Sequence, residues 1–396
     1  MAKWIDCTLS DLGTIIGGAT PSTKMEENYQ NGHIPWITPK DLSVFRGRYI
    51  SHGERNITQQ GLKSCSTQLL PKHSILFSSR APIGYIAIAE CELCTNQGFK
   101  SIVPNERTDY MFLYYLLKFN KNAIENMGSG TTFKEVSGST MKSIPVRVPA
   151  SIEEQKRIAS TLSALDDKIE ENDRINCNLE QQAQAFYIET FVTKASDDWK
   201  SGTISDLGNV VGGGTPSKSV NEYYTDNGIA WITPKDLSNN KSKFISHGEL
   251  DITDLGLAKS SATLMPKGTV LFSSRAPIGY IAIADGQICT NQGFKSIIPF
   301  ENVGTAYIYY FLKENLSAIE NVASGSTFKE VSSRTMKSFT ALIPDNEILA
   351  NFQRFCAPIF EQQRILECEN KYLATIRDTL LPKLMSGEID VSKLEL

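Results

Sequence analysis

At 396 residues, with 41% apolar and 21% charged residues and a net charge of −4, the chain has a globular composition and is too long for one ordinary core. No apolar run reaches the roughly 18 residues of a membrane span, and the start, Met1-Ala2-Lys3-Trp4-Ile5-Asp6, lacks the apolar stretch of a secretion signal, so a cytoplasmic protein is expected. Eight cysteines, of which only Cys91 and Cys94 have metal-ligand spacing, and four scattered histidines (His33, His52, His73, His247) argue against a disulfide framework or a metal centre.

In chain order, residues 1–150 read as mixed α/β. Gly17-Gly18-Ala19-Thr20-Pro21 is a turn before an extended segment, and Ser74–Phe77, Tyr85–Ala89 and Ser101–Val103 are short β-rich runs. Tyr110–Met127 has the spacing of a helix with an aromatic-rich face, and Pro145 and Pro149 close the domain. Residues 151–195 predict a long helix opened by a capping box, Ser151 with Glu154. Its apolar positions, among them Leu162, Leu165, Ile169, Leu179 and Phe186, advance in alternating steps of four and three, the seam of a coiled coil. Residues 196–345 repeat the α/β pattern. Residues 346–396 repeat the helix, with Phe352, Phe355, Leu366, Leu373 and Ile376 in the seam and a break expected at Pro358. Asn172, Gln362 and Glu369 are polar seam positions of the kind that fix register. The alternative for each helix is to pack on its own domain.

The chain is one unit written twice. Trp36 to Ser43 recurs as Trp231 to Ser238, Phe77 to Ala89 as Phe272 to Ala284, Thr95 to Ile102 as Thr290 to Ile297, and Thr132 to Ser137 as Thr327 to Ser332, all at an offset of 195 residues. Between Pro71 and Pro104, 26 of 34 positions match Pro266 to Pro299. This is far longer than a solenoid repeat; it is a duplicated domain, for which pseudo-two-fold symmetry is expected. The repeat also tests motifs. Cys91-x-x-Cys94 becomes Gly286-x-x-Cys289, so the cysteine pair is not carried by both copies. His73 and His33 become Gly268 and Gly228, and only His52 and His247 correspond, a pair that a polar turn histidine explains at least as well as chemistry does.

Catalytic signatures are missing. There is no Asn/Asp-Pro-Pro-Tyr/Phe loop of an adenine methyltransferase, Gly212-Gly213-Gly214 is not followed by Gly-Lys-Ser/Thr, and Ser78-Ser79-Arg80 is not a nucleophile elbow. What recurs is a set of cationic and hydrogen-bonding residues beside glycines: Lys40 and Lys235, Ser79 and Ser274, Arg80 and Arg275, Lys100 and Lys295, Lys134 and Lys329. Asn96-Gln97 and Asn291-Gln292 offer amides suited to adenine edges, while arginine suits guanine. Thr131-Thr132 and Ser326-Thr327 follow a glycine and suit phosphate contacts. Structural alternatives stand beside these: the asparagines cap turns and the arginines form internal ion pairs. The charge is local, +4 over residues 1–150 but −4 over 151–195 and −2 over each of the two later segments, so any DNA-binding surface must be local too.

Two globular domains, each followed by a long helix, resemble the DNA specificity subunit of Type I restriction–modification enzymes over nearly the whole chain. Trp36-Ile37-Thr38-Pro39-Lys40-Asp41-Leu42, the junction Ile144 to Pro149 leading into Glu154 to Ala159, and above all Leu380-Leu381-Pro382-Lys383-Leu384-Met385-Ser386-Gly387-Glu388-Ile389 are similar to that family's segments. The resemblance implies a non-catalytic subunit with two target-recognition domains, each reading half of a bipartite site in double-stranded DNA. It implies helices packed as an antiparallel coiled coil that docks two methyltransferase subunits for adenine N6 methylation. It implies no cofactor on this chain; S-adenosylmethionine belongs to the methyltransferase, and ATP and Mg2+ to restriction/translocase subunits. Because the copies are so alike, inverted and nearly identical half-sites are expected. The competing classes are a symmetric adaptor that does not read sequence and a stand-alone nuclease.

Overall fold

The computed structural model describes residues 3–130, 134–325 and 329–391. They form two compact units, one drawn from residues 1–170 and 371–396, the other from 171–370. Each unit takes roughly half of each of two long helices, a central one, Ile152–Ile188, and a C-terminal one, Asn346–Ser386.

The first unit contains β1 (Trp4–Thr8), β2 (Gly13–Gly17), β3 (Ile34–Ile37), β4 (Tyr49–Ile50), β5 (Arg55–Ile57), β6 (Ile75–Ser79), β7 (Ile83–Ala89), β8 (Cys94–Thr95), β9 (Lys100–Pro104) and β10 (Pro145–Pro149). Five strands order as β2-β9-β6-β7-β4, three as β5-β3-β8, and β1 pairs with β10. Strand β6 is buried along its whole length because the sheet is covered on both faces, which is why Ile75, Leu76 and Phe77 are all apolar and do not alternate with polar residues. Ile75 and Phe77 face the helix Tyr110–Asn126, while Leu76 faces a second cluster with Leu70 and Phe99. That helix starts where Asp109 accepts a hydrogen bond from Phe112 N at 2.8 Å.

The second unit repeats the five-strand order with Gly208–Gly212, Lys295–Pro299, Val270–Ser274, Ile278–Ala284 and Phe244–Ile245. Its smaller sheet gains a fourth strand, Tyr224–Thr225, paired with Leu250–Ile252.

The C-terminal helix runs unbroken through Pro358, contrary to the expected break. Pro358 and Arg354, whose carbonyl loses its partner, both lie on the exposed side. Phe352, Cys356, Ile359 and Phe360 are buried on the other side and hold the helix across the gap. The helix ends at Gly387 (φ +77), with Ile389 N donating to Lys383 O at 3.2 Å. A side chain at Gly387 would meet the Trp4 indole nitrogen at 2.7 Å, and Leu384 and Met385 enter the first unit's core. The Leu-Met-Ser-Gly segment thus seals that unit.

The helix seam is used internally. Leu162 is fully buried in the first unit's core, Phe352 is buried in the second's, and Leu366 is buried too. Leu179 and Phe186 pack against the second core, and Leu165, Ile169, Leu373 and Ile376 are half-buried. The buried members therefore cannot also be the surface offered to another subunit, which corrects the expectation for them; Phe355, 42% exposed, keeps a free face. Within the second unit the helices meet in opposing directions: Asn172 donates to Glu369 at 2.9 Å, Gln363 donates to Asn176 O at 3.2 Å, and Phe186 stacks on Phe352.

Each unit locks its helices to its domain with a carboxylate. In the first, Asp166 accepts from Tyr115 Oη and from Arg377, both at 2.6 Å. In the second, Glu180 accepts from Lys243 at 2.8 Å, Lys313 at 2.7 Å and Tyr310 Oη at 3.0 Å. Burial pushes the Glu180 carboxyl up, but the Lys243 charge and the lysine hydrogen bonds outweigh this and hold it near about 2. This carboxylate is depressed in the folded state, so its contribution is complete above its ordinary value of 4.5 and is lost as pH falls towards 2. We expect Glu180→Gln, which strands two lysines, to cost about 3 kcal/mol in urea unfolding at neutral pH. The gap between wild type and variant should close as the measurement moves from pH 5 to pH 2.5.

Candidate nucleic-acid interface

The duplicated Trp-Ile-Thr-Pro-Lys-Asp-Leu segment builds a turn from local chemistry. Thr233 caps a short helix with Pro234 in its first turn, and Asp236 reaches back to Thr233 N at 2.7 Å. The other oxygen of Asp236 accepts from Glu249 N at 2.8 Å, tying the turn to the neighbouring strand. Thr38, Pro39, Asp41 and Glu54 do the same in the first unit. The turn thereby holds Lys235 against Glu249 at 2.6 Å and Lys40 against Glu54 at 2.7 Å.

The Gly-rich segment is explained by close approach. A Cβ at Gly213 would lie 2.0 Å from Asn291 O, and one at Gly18 would lie 2.1 Å from Asn96 O. Gly214 N and Ala19 N then donate to Thr290 O and Thr95 O at 2.9 and 3.0 Å. The loop is pinned from the other side by Trp231 Nε1 to Gly214 O at 2.9 Å and Trp36 Nε1 to Ala19 O at 3.1 Å. Beyond it, Thr215 donates to Gln292 and Thr20 to Gln97.

In the second unit these parts surround one open cleft of about 1180 Å3 that gathers Lys235, Arg275, Asn291 and Gln292. Arg275 pairs with Glu330 at 3.5 Å, and Lys295, largely buried, reaches the same carboxylate at 3.4 Å from behind. Arg80 and Lys100 share Glu135 in the first unit at 3.5 and 3.3 Å. Asn96 and Asn291 each accept from the glycine two residues on, at 2.8 Å, so both cap turns as the structural alternative proposed.

Two nominated residues are corrected. Ser79 and Ser274 are fully buried and donate to Gly98 O and Gly293 O at 3.2 and 3.1 Å. They hold strand to loop and offer nothing at a surface. Thr131, Thr132, Ser326 and Thr327 lie outside the described residues. Lys134 and Lys329 flank them, are exposed, and make no ion pair among the described residues. The cleft wall formed by Lys218, Asn221, Tyr224, Thr225 and Leu250 was not foreseen. One signal pointed to it: Pro21 and Tyr29 recur as Pro216 and Tyr224 at the same offset, and each tyrosine hydroxyl donates to its proline carbonyl at 2.6 Å.

Among the described residues no three or more His, Cys, Asp or Glu side chains cluster as metal ligands, and no helix is long and apolar enough to cross a membrane.

Two copies of one α/β unit that share the floor of a polar cleft, joined by long helices, define a two-domain recognition protein. The family model for the Type I restriction modification DNA specificity domain matches residues 1–181 and again 196–378, and the chain belongs to that family. It is a specificity subunit and not itself an enzyme. It is 33% identical to the MjaIX specificity subunit of Methanocaldococcus jannaschii, over 99% of this chain and 94% of that protein. It is 26% identical to the HindI specificity subunit of Haemophilus influenzae, over 74% and 76% of the two chains. In fold it is similar to a crystal structure of the S subunit of a Type I restriction–modification system from M. genitalium, with a TM-score of 0.62, 15% identity and coverage of 97% and 96%.

Substituting Gly213→Ala should displace the Asn291–Gln292 turn, since backbone and not a flexible side chain stands in the way. We expect a loss of about 1–3 kcal/mol, read as a lower melting temperature. Gly286→Ala, where nothing lies within 4 Å, is the neutral control.

Proposed function

We propose that each unit reads one half of a bipartite site in double-stranded DNA, through the cleft and the exposed Lys134 or Lys329. The observation that carries this reading is the repetition of one cleft floor, Trp36, Thr38, Lys40 and Asp41 in one copy and Trp231, Thr233, Lys235 and Asp236 in the other, in a chain that belongs to a DNA specificity family. The long helices then pack antiparallel, as a coiled coil related by a pseudo-two-fold axis, and present the two domains to inverted half-sites. A helix of 41 residues spans about 60 Å at ~1.5 Å per residue, more than the roughly 34–36 Å of one duplex turn. Acidic outer helix faces and Phe355 are suited to protein rather than phosphate, and in this reading they dock two methyltransferase subunits for adenine N6 methylation in the cytoplasm. The chain itself carries no cofactor; S-adenosylmethionine serves the methyltransferase, and ATP and Mg2+ serve the restriction/translocase subunits.

Co-expression with a Type I methyltransferase subunit from the same source, followed by single-molecule mapping of N6-methyladenine, is expected to give a bipartite motif with inverted and nearly identical halves. A stable complex that adds no methylation would favour the adaptor reading instead. Lysine contacts to phosphate predict a second result. Lys134→Gln with Lys329→Gln should weaken DNA binding about equally for all sequences and reduce the salt slope by roughly one per lysine. An adaptor would show no change.

A further inference from the structure

We propose that Arg55 and Leu250 decide a base pair at which the two half-sites differ, Arg55 selecting guanine and Leu250 thymine. The inference rests on the reading that the clefts face DNA.

The two clefts share their floor. Trp36, Thr38, Lys40 and Asp41 line the first as Trp231, Thr233, Lys235 and Asp236 line the second. Among the lining residues the differences fall on one wall, in the loop 23–31 and at positions 55 and 56, where Asp251, buried, replaces the exposed Asn56. Position 55 is the one that touches both parts of the first cleft. Arg55 lines a space of about 250 Å3 with Trp36 and Lys40, and another of about 550 Å3 with Tyr29 and Gln30. With Leu250 in its place, the second unit has the single cleft of about 1180 Å3.

The backbone beneath is the same. Arg55 pairs across the sheet with Trp36, and Leu250 with Trp231, in matching register. A directly opposed pair projects to the same face, so the copies differ here by side chain and not by placement. Arg55 is exposed, and among the described residues it makes no ion pair, whereas Lys40, Arg80 and Lys100 are each held by a carboxylate. Its guanidinium is therefore available without first displacing an acid. A guanidinium matches the O6 and N7 acceptors of guanine with two parallel hydrogen bonds, while an aliphatic tip offers only apolar contact, which the thymine methyl accepts. Leu250, 37% exposed, is an apolar group kept at the surface of a polar cleft.

The test uses the full chain co-expressed with its methyltransferase, as wild type, Arg55→Leu and Leu250→Arg, with methylated motifs mapped genome-wide. The wild-type motif should show guanine in one half and thymine at the matching position of the other. Arg55→Leu should lower use of the guanine by roughly ten- to a hundredfold and make the halves alike; Leu250→Arg should make them alike in the opposite sense. Loss of the guanine preference without a new one also supports Arg55 as its reader. An unchanged motif overturns the inference while leaving the proposed function standing. So does a uniform fall in methylation at all sites by an intact complex, since that marks Arg55 as a phosphate contact. No methylation by the wild-type complex would instead remove the reading on which the inference rests.

Discussion

A buried carboxylate in each unit ties the globular part to both long helices, and the rest of the architecture depends on that tie. Asp166 joins Tyr115 to Arg377 across the two helices of the first unit. Glu180 joins Lys243, Lys313 and Tyr310 of the second domain to Gln363 of the C-terminal helix, which donates to it at 3.3 Å. In the first unit the loss of either helix strands a charge, and in the second the loss of the central helix leaves Lys243 and Lys313 without their acid. A domain held this way presents its cleft in a fixed direction relative to the helix segments of its own unit.

The clefts show how such a surface can coexist with an acidic chain. Most of their cations are already neutralised, Lys235 by Glu249, and Arg275 with Lys295 by Glu330. Exposed pairs of this kind are worth little in water, so a phosphate or a base edge can replace the carboxylate at small cost. The paired acids also keep the free surface from attracting any polyanion indiscriminately, and they place the guanidinium and ammonium groups before contact is made.

Duplication separates what the fold needs from what a target needs. Gly18 and Gly213 are kept because there is no room for a Cβ, and Asp41 and Asp236 because both oxygens hold backbone. On the cleft wall, Tyr29 and Tyr224 are kept because each holds a proline carbonyl, while the exposed positions 23, 26, 30 and 55 differ between the copies. Ser79 and Ser274 belong to the constrained class although they stand beside arginines, since their hydroxyls are spent on carbonyls inside the sheet.

The sequence by itself determined the duplication, the buried strands and the long helices, because these rest on identity at a fixed offset and on local periodicity. It also marked the Thr-Pro-Lys-Asp turn, whose capping is local. Tertiary structure decided the rest. The course of the helix through Pro358 was settled by Phe352, Ile359 and Phe360 packing on either side, which local propensity does not contain. The pairing of Arg80 and Lys100 with a single glutamate, 35 to 55 residues away in chain, depended on strands crossing. So did the placing of Arg55 beside Trp36: a polar residue on a short strand carries no signal of its own until the sheet sets its neighbour.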